Sequence, residues 1–361
     1  MLNHLLAPQG IYTVSTGSGE VAQFLRRRWG CDDPATQRQR HEDALAKIAD
    51  ARVLVLGVPM DAGAGFERGS FKGPLAIRSR LLDEPDRWAT WEAAGVVDIG
   101  DVRVHPQLTD DDAHSAHILD SVRAARGWNS PALAALPVAP HSILRHALQH
   151  IRTVNPTARV LLLGGDHSIS RLPIEVLTQG EDAHKLGILH FDAHTDLLML
   201  REGFPYSFAT WAAQANARIG RGGRLVQVGI RASGQPRAYW EATQDVRQRW
   251  SQEAMADVEA TAAWLVATFE RAGVEKIYIS NDIDATDPAY AAATGTMEPD
   301  GLHPDAVIRW IEAVAARFPI VGADLVEVAP PLKGHLPGEP ARTLDTAARY
   351  VAAQIEALLN S

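Results

Sequence analysis

Along the chain, short unbroken apolar runs alternate with longer stretches in which apolar positions recur every three or four residues. The runs are "RVLVLGVP" (52–59), "GVVDIG" (95–100), "RVLLLGG" (159–165), "KLGILHFD" (185–192), "RLVQVGI" (224–230), "KIYISND" (276–282) and "PIVGADLVEV" (319–328). Continuous rather than alternating apolar residues are the pattern of strands covered on both faces. Residues 139–153, 170–178, 236–249, 252–272, 304–317 and 340–359 carry helical spacing. Strand and helix in repetition predict an α/β sandwich with a mainly parallel sheet. Residues 1–50 read as an N-terminal extension that packs on the body or on a neighbouring subunit, and 51–361 as a single α/β domain. Residues 104–139, rich in Pro, Asp, Ser and Ala, read as an excursion with a short helix.

Composition narrows the function classes. Of 361 residues, 46% are hydrophobic, enough for a large core, and the net charge of −9 comes from interspersed acids and bases. A nucleic-acid surface would show as a basic stripe, and the one cluster, Arg26, Arg27 and Arg28, is better explained as a solvated face or subunit contact. A single cysteine, Cys31, allows no intrachain disulfide and fits a reducing compartment. No basic n-region with a long apolar stretch opens the chain, and no run approaches the roughly 20 apolar residues of a membrane helix. The expectation is a cytoplasmic protein with neither nucleic-acid nor membrane partners.

The polar clusters fall at strand ends, where open α/β sheets bind ligands. "GGDHS" (164–168) follows the run at 159, "HFDAHTD" (190–196) the run at 185, and "SNDIDATDP" (280–288) the run at 276. In extended chain, residues i, i+2 and i+4 face one way, so Asp192, His194 and Asp196 are expected on one side. Asp282 and Asp284 repeat the spacing, and Gly164 and Gly165 permit a tight turn that presents His167. Four converging carboxylates repel one another unless cations intervene. Two divalent ions balance four aspartates, and six ligands exceed one tetrahedral zinc. An oxygen-dominated set with one imidazole per ion favours manganese-like metals. His105, His114, His117, His141, His146, His150 and His184 show no such constellation and read as ordinary surface or core residues. Asp110, Asp111 and Asp112 read as a solvated helix start.

Together these motifs resemble the ureohydrolase family of arginase and agmatinase. "GVPMDAGAGFERGSFKGPLAIR" (57–78), "VQVGIR" (226–231), "DLVEVAP" (324–330) and "SNDIDATDPAYAAATGTMEPDGL" (280–302) fall in that family's order. The resemblance implies a three-layer α/β/α sandwich, usually trimeric or hexameric, acting on a small guanidino substrate with two divalent ions, Mn2+ or, as in guanidine-hydrolase-like members, Ni2+. It implies that His167 and Asp196 hold the first ion, His194 and Asp284 the second, and that Asp192 and Asp282 bridge them. Glu327 falls where the family places a carboxylate facing the guanidinium, and Asp196 is expected to pass a proton to the departing nitrogen.

One segment departs from the pattern. Arginase and agmatinase carry a histidine after "DAHxD", whereas this chain reads "YSFATW", with Ser207 at about that position and Tyr206, Thr210 and Trp211 around it. These four are the expected substrate-binding residues, within an aromatic-rich wall that also includes Phe204 and Phe208. The wall, without an evident α-amino-acid clamp, suggests free guanidine or an alkylguanidine. The alternatives are an agmatinase or guanidinobutyrase, a formimino-amino-acid hydrolase, and a non-catalytic subunit of a hetero-oligomer.

Overall fold

The computed structural model describes residues 1–8, 18–65, 67–180, 183–332 and 336–361. Residues 9–17 of the expected extension and Phe66 of the 57–78 motif lie outside them. Nine strands form one sheet: β1 (Leu6–Ala7), β2 (Val53–Val58), β3 (Val96–Val102), β4 (Arg159–Gly164), β5 (Leu186–Phe191), β6 (Leu225–Val228), β7 (Arg247–Arg249), β8 (Lys276–Asp282) and β9 (Ile320–Val326). Their order is β1-β3-β2-β4-β9-β8-β5-β6-β7. Among the described residues, β1–β3 is the only antiparallel pair in the sheet.

Every residue of β2 is buried, and its alternation serves two cores. Val53 and Val55 join one cluster with helices 73–81, 304–315 and 341–359. Leu54, Leu56 and Val58 join another with helix 140–154. In β5, Leu186 and Ile188 meet Trp211 and Ile174, while Leu189 and Phe191 turn to the opposite core. Helices therefore cover both faces, and the three-layer α/β/α arrangement follows from strands apolar on each side.

Three expectations are corrected. The stretch 236–249 is a helix only over Arg237–Gln244; Asp245, at φ 52°, ends it, and Arg247–Arg249 pairs with β6 as an edge strand. The stretch 252–272 breaks at Asp257, whose side chain accepts from Ala260 N–H and caps a new helix, Val258–Arg271. Asp110 is not solvated. Its buried carboxylate accepts from Ser142 at 2.8 Å, Arg145 at 3.0 Å and Arg171 at 2.7 Å. Within 104–139 there are two α-helices, Ala116–Ala125 and the four-residue Pro131–Ala134.

Near the N-terminus, β1 extends the sheet, and Val21, Phe24 and Leu25 pack on Leu75. Arg26, Arg27 and Arg28 pair with Asp32, Asp83 and Glu92. The buried Arg78 guanidinium binds both Asp98 oxygens at 2.9 Å, Gly100 O at 3.0 Å, and Asp101. That cluster ties helix 73–81 to β3.

Candidate metal centre

The central strands β4, β9, β8 and β5 deliver their carboxyl ends side by side. After β4 the chain turns on Gly164 and Gly165, where space is the constraint. A Cβ on Gly165 would strike the Met60 and Val58 carbonyls, and one on Gly164 the Val326 side chain. Asp166 then caps a 3-10 turn, His167–Ser170, by accepting from Ser168 N–H at 2.9 Å, and also accepts from Gly63 N–H at 2.8 Å. Its carboxyl is raised to about 6, mainly by burial.

His167 is the focus of the first group. Its Nδ1 lies 3.0 Å from Asp282 Oδ2, 3.2 Å from Asp196 Oδ2 and 3.3 Å from Asp192 Oδ2. Among the described residues, no group makes a well-directed hydrogen bond to that buried nitrogen. On the other side of the ring, Nε2 lies 2.9 Å from Ser280 Oγ, which donates to Asp324 Oδ1 at 2.9 Å. Because the serine proton goes to a carboxylate, its oxygen accepts from His167. Nε2 therefore carries hydrogen toward Ser280, and Nδ1 is the nitrogen turned to the three carboxylates, the one that can give up its proton to a cation.

The second group is Asp192, His194 and Asp284. His194 Nδ1 lies 3.1 Å from Asp284 Oδ2 and 3.5 Å from Asp192 Oδ1. Asp192 thus divides its oxygens, Oδ2 to the His167 group and Oδ1 to the His194 group. Asp282 holds the groups together through its other oxygen, accepting from Asp284 N–H at 2.9 Å. Thr296 donates to Asp284 Oδ2 at 2.7 Å.

The strict alternation expected over Asp192, His194 and Asp196 does not persist. β5 ends at Phe191, and Asp196 sits in the left-handed region at φ 52°. That bend returns its carboxylate to His167 rather than leaving it in line with His194. Glu327 is also left-handed, at φ 61°, immediately after β9. Its Oε1 accepts from His167 N–H at 2.9 Å. Non-glycine residues in this region are uncommon and cluster at functional sites.

The electrostatics show a site short of positive charge. Burial alone would depress His167, but Asp192, Asp196 and Asp282 outweigh it and hold it well above the imidazole range. Burial also opposes charge on His194, yet Asp284 and Asp192 push it up to about 12. Burial and then its acidic neighbours raise Asp282 well above the carboxylate range and raise Asp196. Glu327 is raised well above its usual range by burial first and Asp166 next. Asp192 moves the other way despite burial, because His167, His190 and His194 surround it. A buried imidazole nitrogen without a well-directed hydrogen bond, facing three carboxylates beside a second His/Asp group that shares one aspartate, fits divalent metal ions.

The expected substrate-facing residues lie in different surroundings. Trp211 has 0% exposure. Its indole N–H donates to Asp196 Oδ2 at 2.9 Å, and its ring lies 4.6 Å from that of His167. Thr210, also buried, donates to Pro205 O at 2.6 Å and accepts from Ser207 N–H at 3.1 Å. Ser207 Oγ sits 3.3 Å from the Thr210 hydroxyl. Tyr206 lies beneath the Arg171 guanidinium at 4.3 Å, edge-on to His141. Phe208 N–H donates to Gly63 O, Arg201 stacks over the Phe208 ring at 5.1 Å, and Phe204 is 57% exposed. The structure brings Trp211 to the carboxylates, places Tyr206 and Phe208 each against an arginine, and leaves Phe204 exposed.

Two features escaped the sequence reading. His190 is fully buried, with Nε2 2.8 Å from Asp192 Oδ2. The period-two spacing that singled out Asp192 and His194 extends back to it. Arg231 donates to six carbonyl oxygens, on Gly229, Asp284, Ala285, Thr286, Glu298 and Pro299, and so clamps the loops around the second group. Only its place in "VQVGIR" marks it.

Comparison with known proteins agrees with this geometry. The model of the arginase family matches residues 51–355. The chain is 29% identical to a guanidinobutyrase of Pseudomonas aeruginosa, over 81% of this chain and 84% of that protein. It is 31% identical to an N(1)-aminopropylagmatine ureohydrolase of Thermus thermophilus, over 79% and 85%. Among solved structures, the proclavaminate amidino hydrolase of Streptomyces clavuligerus superposes with a TM-score of 0.65 at 24% identity, covering 85% of this chain and 91% of that one. An arginase of Bacillus subtilis gives 0.64 at 21%, covering 85% and 98%. These two likenesses are of fold. The family match spans most of the chain and includes every strand end that carries an acid or imidazole of the site: this protein belongs to the arginase family and is an amidinohydrolase.

Proposed function

We propose that this chain binds two divalent ions, manganese or nickel, and hydrolyses a C–N bond of a small guanidine, free or alkylated, to urea and an amine or ammonia. The observation that carries the reading is the divided Asp192 carboxylate, one oxygen in each His/Asp group, with His167 Nδ1 turned to the acids and without a well-directed hydrogen bond among the described residues. His167, Asp196 and Asp282 would hold one ion and His194 and Asp284 the other, with Asp192 shared and Asp282 linking the groups. Such a pair, when bound, supplies Lewis acidity and a water acidic enough to act as a nucleophile near neutral pH.

The chain's own residues do the rest. Glu327 accepts from His167 N–H on Oε1 and offers Oε2 to a guanidinium. A cation there offsets the burial and the Asp166 charge that raise the Glu327 carboxyl. Trp211 fixes Asp196 Oδ2, leaving Oδ1 to carry a proton to the departing nitrogen. Ser207 and Thr210 brace the loop that replaces the usual histidine segment, so they act on the pocket's shape.

A second reading, a guanidino-acid substrate, is favoured by Arg201, which lies over Phe208 in that same loop, and by the guanidinobutyrase relative. No helix among the described residues is long and apolar enough to cross a membrane, which accords with the proposal of a cytoplasmic enzyme. A homotrimer or homohexamer, or a hetero-oligomer, is the proposed assembly.

The test is urea release by manganese- and nickel-loaded protein, purified alone, over guanidine, alkylguanidines, 4-guanidinobutyrate, agmatine and formiminoglutamate. Urea from the small guanidines, with two ions per chain, is expected. Urea only from 4-guanidinobutyrate selects the second reading. Formamide alone moves the assignment to formimino compounds, and a fully loaded chain that turns over nothing points to a silent subunit.

A further inference from the structure

His190 lies close enough to Asp192 and Asp196 to pass for a second imidazole ligand of the first group. The sheet register assigns it a different part. Ladder pairing sets His190 of β5 opposite Gln227 of β6, and Gln227 opposite Gln248 of β7. The three side chains share one face and form a row across adjacent strands. Trp250, two residues beyond Gln248, closes the row.

The hydrogen bonds in this row have one direction. An indole only donates, so Trp250 Nε1 gives its hydrogen to Gln248 Oε1 at 3.0 Å. Gln248 Nε2 therefore faces inward and donates to Gln227 Oε1 at 2.8 Å. Gln227 Nε2 donates to His190 Nδ1 at 2.9 Å and to Thr195 O at 2.7 Å, using both its hydrogens. His190 Nδ1 is thus an acceptor. The ring's hydrogen sits on Nε2, 2.8 Å from Asp192 Oδ2. A nitrogen that carries hydrogen has no lone pair for a metal, and the other nitrogen is spent on Gln227.

We infer that the Trp250–Gln248–Gln227 row makes His190 a positioning residue, a fixed N–H donor that aims Asp192 Oδ2 at the His167 group, and not a metal ligand. The inference rests on the metal-centre reading above. The row continues through the same register on the other side, His190 opposite Ser280 and Ser280 opposite Asp324. There Asp324 and Ser280 orient His167 with Nδ1 toward the carboxylates. One polar row across five strands gives two neighbouring imidazoles different duties: His167 turns to the site the nitrogen an ion would take, and His190 presents a hydrogen to Asp192.

Two variants and one spectrum test this. His190→Gln keeps an N–H near the Nε2 position, while His190→Leu removes it. Metal content is measured after dialysis against graded chelator. His190→Gln is expected to retain both ions. His190→Leu is expected to hold one of its two ions roughly 10–100-fold more weakly, the usual scale for an outer-shell partner. Equal loss of an ion in both variants would make the imidazole a ligand and overturn the inference. Full retention by His190→Leu would remove the positioning role. In zinc-loaded wild-type protein with 15N-labelled histidine, His190 should show hydrogen on Nε2 and a bare, metal-free Nδ1, whatever the folding of the variants; a bare Nε2 contradicts the row. A wild-type chain that takes up no ions refutes the metal-centre reading itself, whereas two ions in wild type with an unaffected His190→Leu refutes this inference alone.

Discussion

Trp211→Phe isolates a single hydrogen. The indole N–H donates to Asp196 Oδ2 at 2.9 Å in a fully buried setting, and the same oxygen lies 3.2 Å from His167 Nδ1. Phenylalanine keeps a ring beside His167 and His190 and removes only the donor and part of the ring. A hydrogen bond to a charged group contributes about 1.5–3 kcal/mol, and each 1.4 kcal/mol is a factor of about ten in an equilibrium. The bond orients the carboxylate before an ion arrives, so the effect on ion binding is at most that whole figure, roughly 10–150-fold. The expected result is weaker retention of one ion per chain during chelator titration, with kcat reduced at subsaturating metal and restored by excess. Thermal unfolding of the metal-free variant separates lost packing from lost orientation. Retention of both ions within twofold of wild type, at any drop in melting temperature, would refute the claim that Trp211 acts through Asp196.

Substitutions elsewhere probe the ligands and the frame. His194→Ala and Asp196→Asn should abolish turnover and lower metal content, measured by elemental analysis; full activity in the metal-depleted double variant would end the metal-centre proposal. Glu327→Gln, which keeps an acceptor but not the charge, should lose substrate affinity or rate by a factor of 10 or more, on the scale of roughly 1.5–3 kcal/mol for a charged hydrogen bond. Arg78→Met leaves Asp98 and Asp101 buried without their cation and should destabilise the fold by about 3–5 kcal/mol in urea unfolding. Asp110 supplies a pH test: burial opposes its ionisation, but Arg145, Ser142 and Arg171 outweigh it and lower it from 3.8 to about 2. A depressed carboxyl contributes stability above its unfolded value and loses it as pH falls through the folded one. Wild type should therefore lose about 2 kcal/mol relative to Asp110→Asn between pH 4 and 2, and parallel acid-unfolding curves would contradict this.

The sequence made the central frame legible and left its edges obscure, for a physical reason. β2, β4, β5, β8 and β9 are buried on both faces, so each is an unbroken apolar run that periodicity detects. β7, "RQR", is a three-residue edge strand with little to bury, and its polar residues extended a helical pattern that Asp245 in fact ends. In the site, residue type and strand-end position were enough to nominate six acids and imidazoles, because such a concentration has few other uses. Spacing could not reveal that Asp196 reaches His167 through a left-handed bend, since φ is not written in the residue name. Nor could it separate Trp211, a donor to Asp196, from Phe208, which lies beneath Arg201. Asp110, Asp111 and Asp112 look alike in the chain, and only tertiary placement decides that one of them is buried against two arginines.

The same physics explains why the acids gather at the sheet's carboxyl edge. A polar side chain inside a parallel sheet needs a partner at its own register, because its neighbours along the strand face the other layer. Gln248, Gln227 and His190 supply one another in that way across β7, β6 and β5, and Ser280 and Asp324 do so across β8 and β9. The row is tolerable in a core because nearly every donor in it meets an acceptor. It ends the apolar stretch of each central strand just before the strand itself ends. Asp192, just past the end of β5, and Asp282, the last residue of β8, each lie two residues beyond the row with oriented groups behind them. Placing ligands beyond a satisfied polar row lets the left-handed bends at Asp196 and Glu327 be held from behind, each at a cost of about 1–3 kcal/mol. The carboxylates are thus positioned by the sheet, and their mutual repulsion remains for bound cations to relieve.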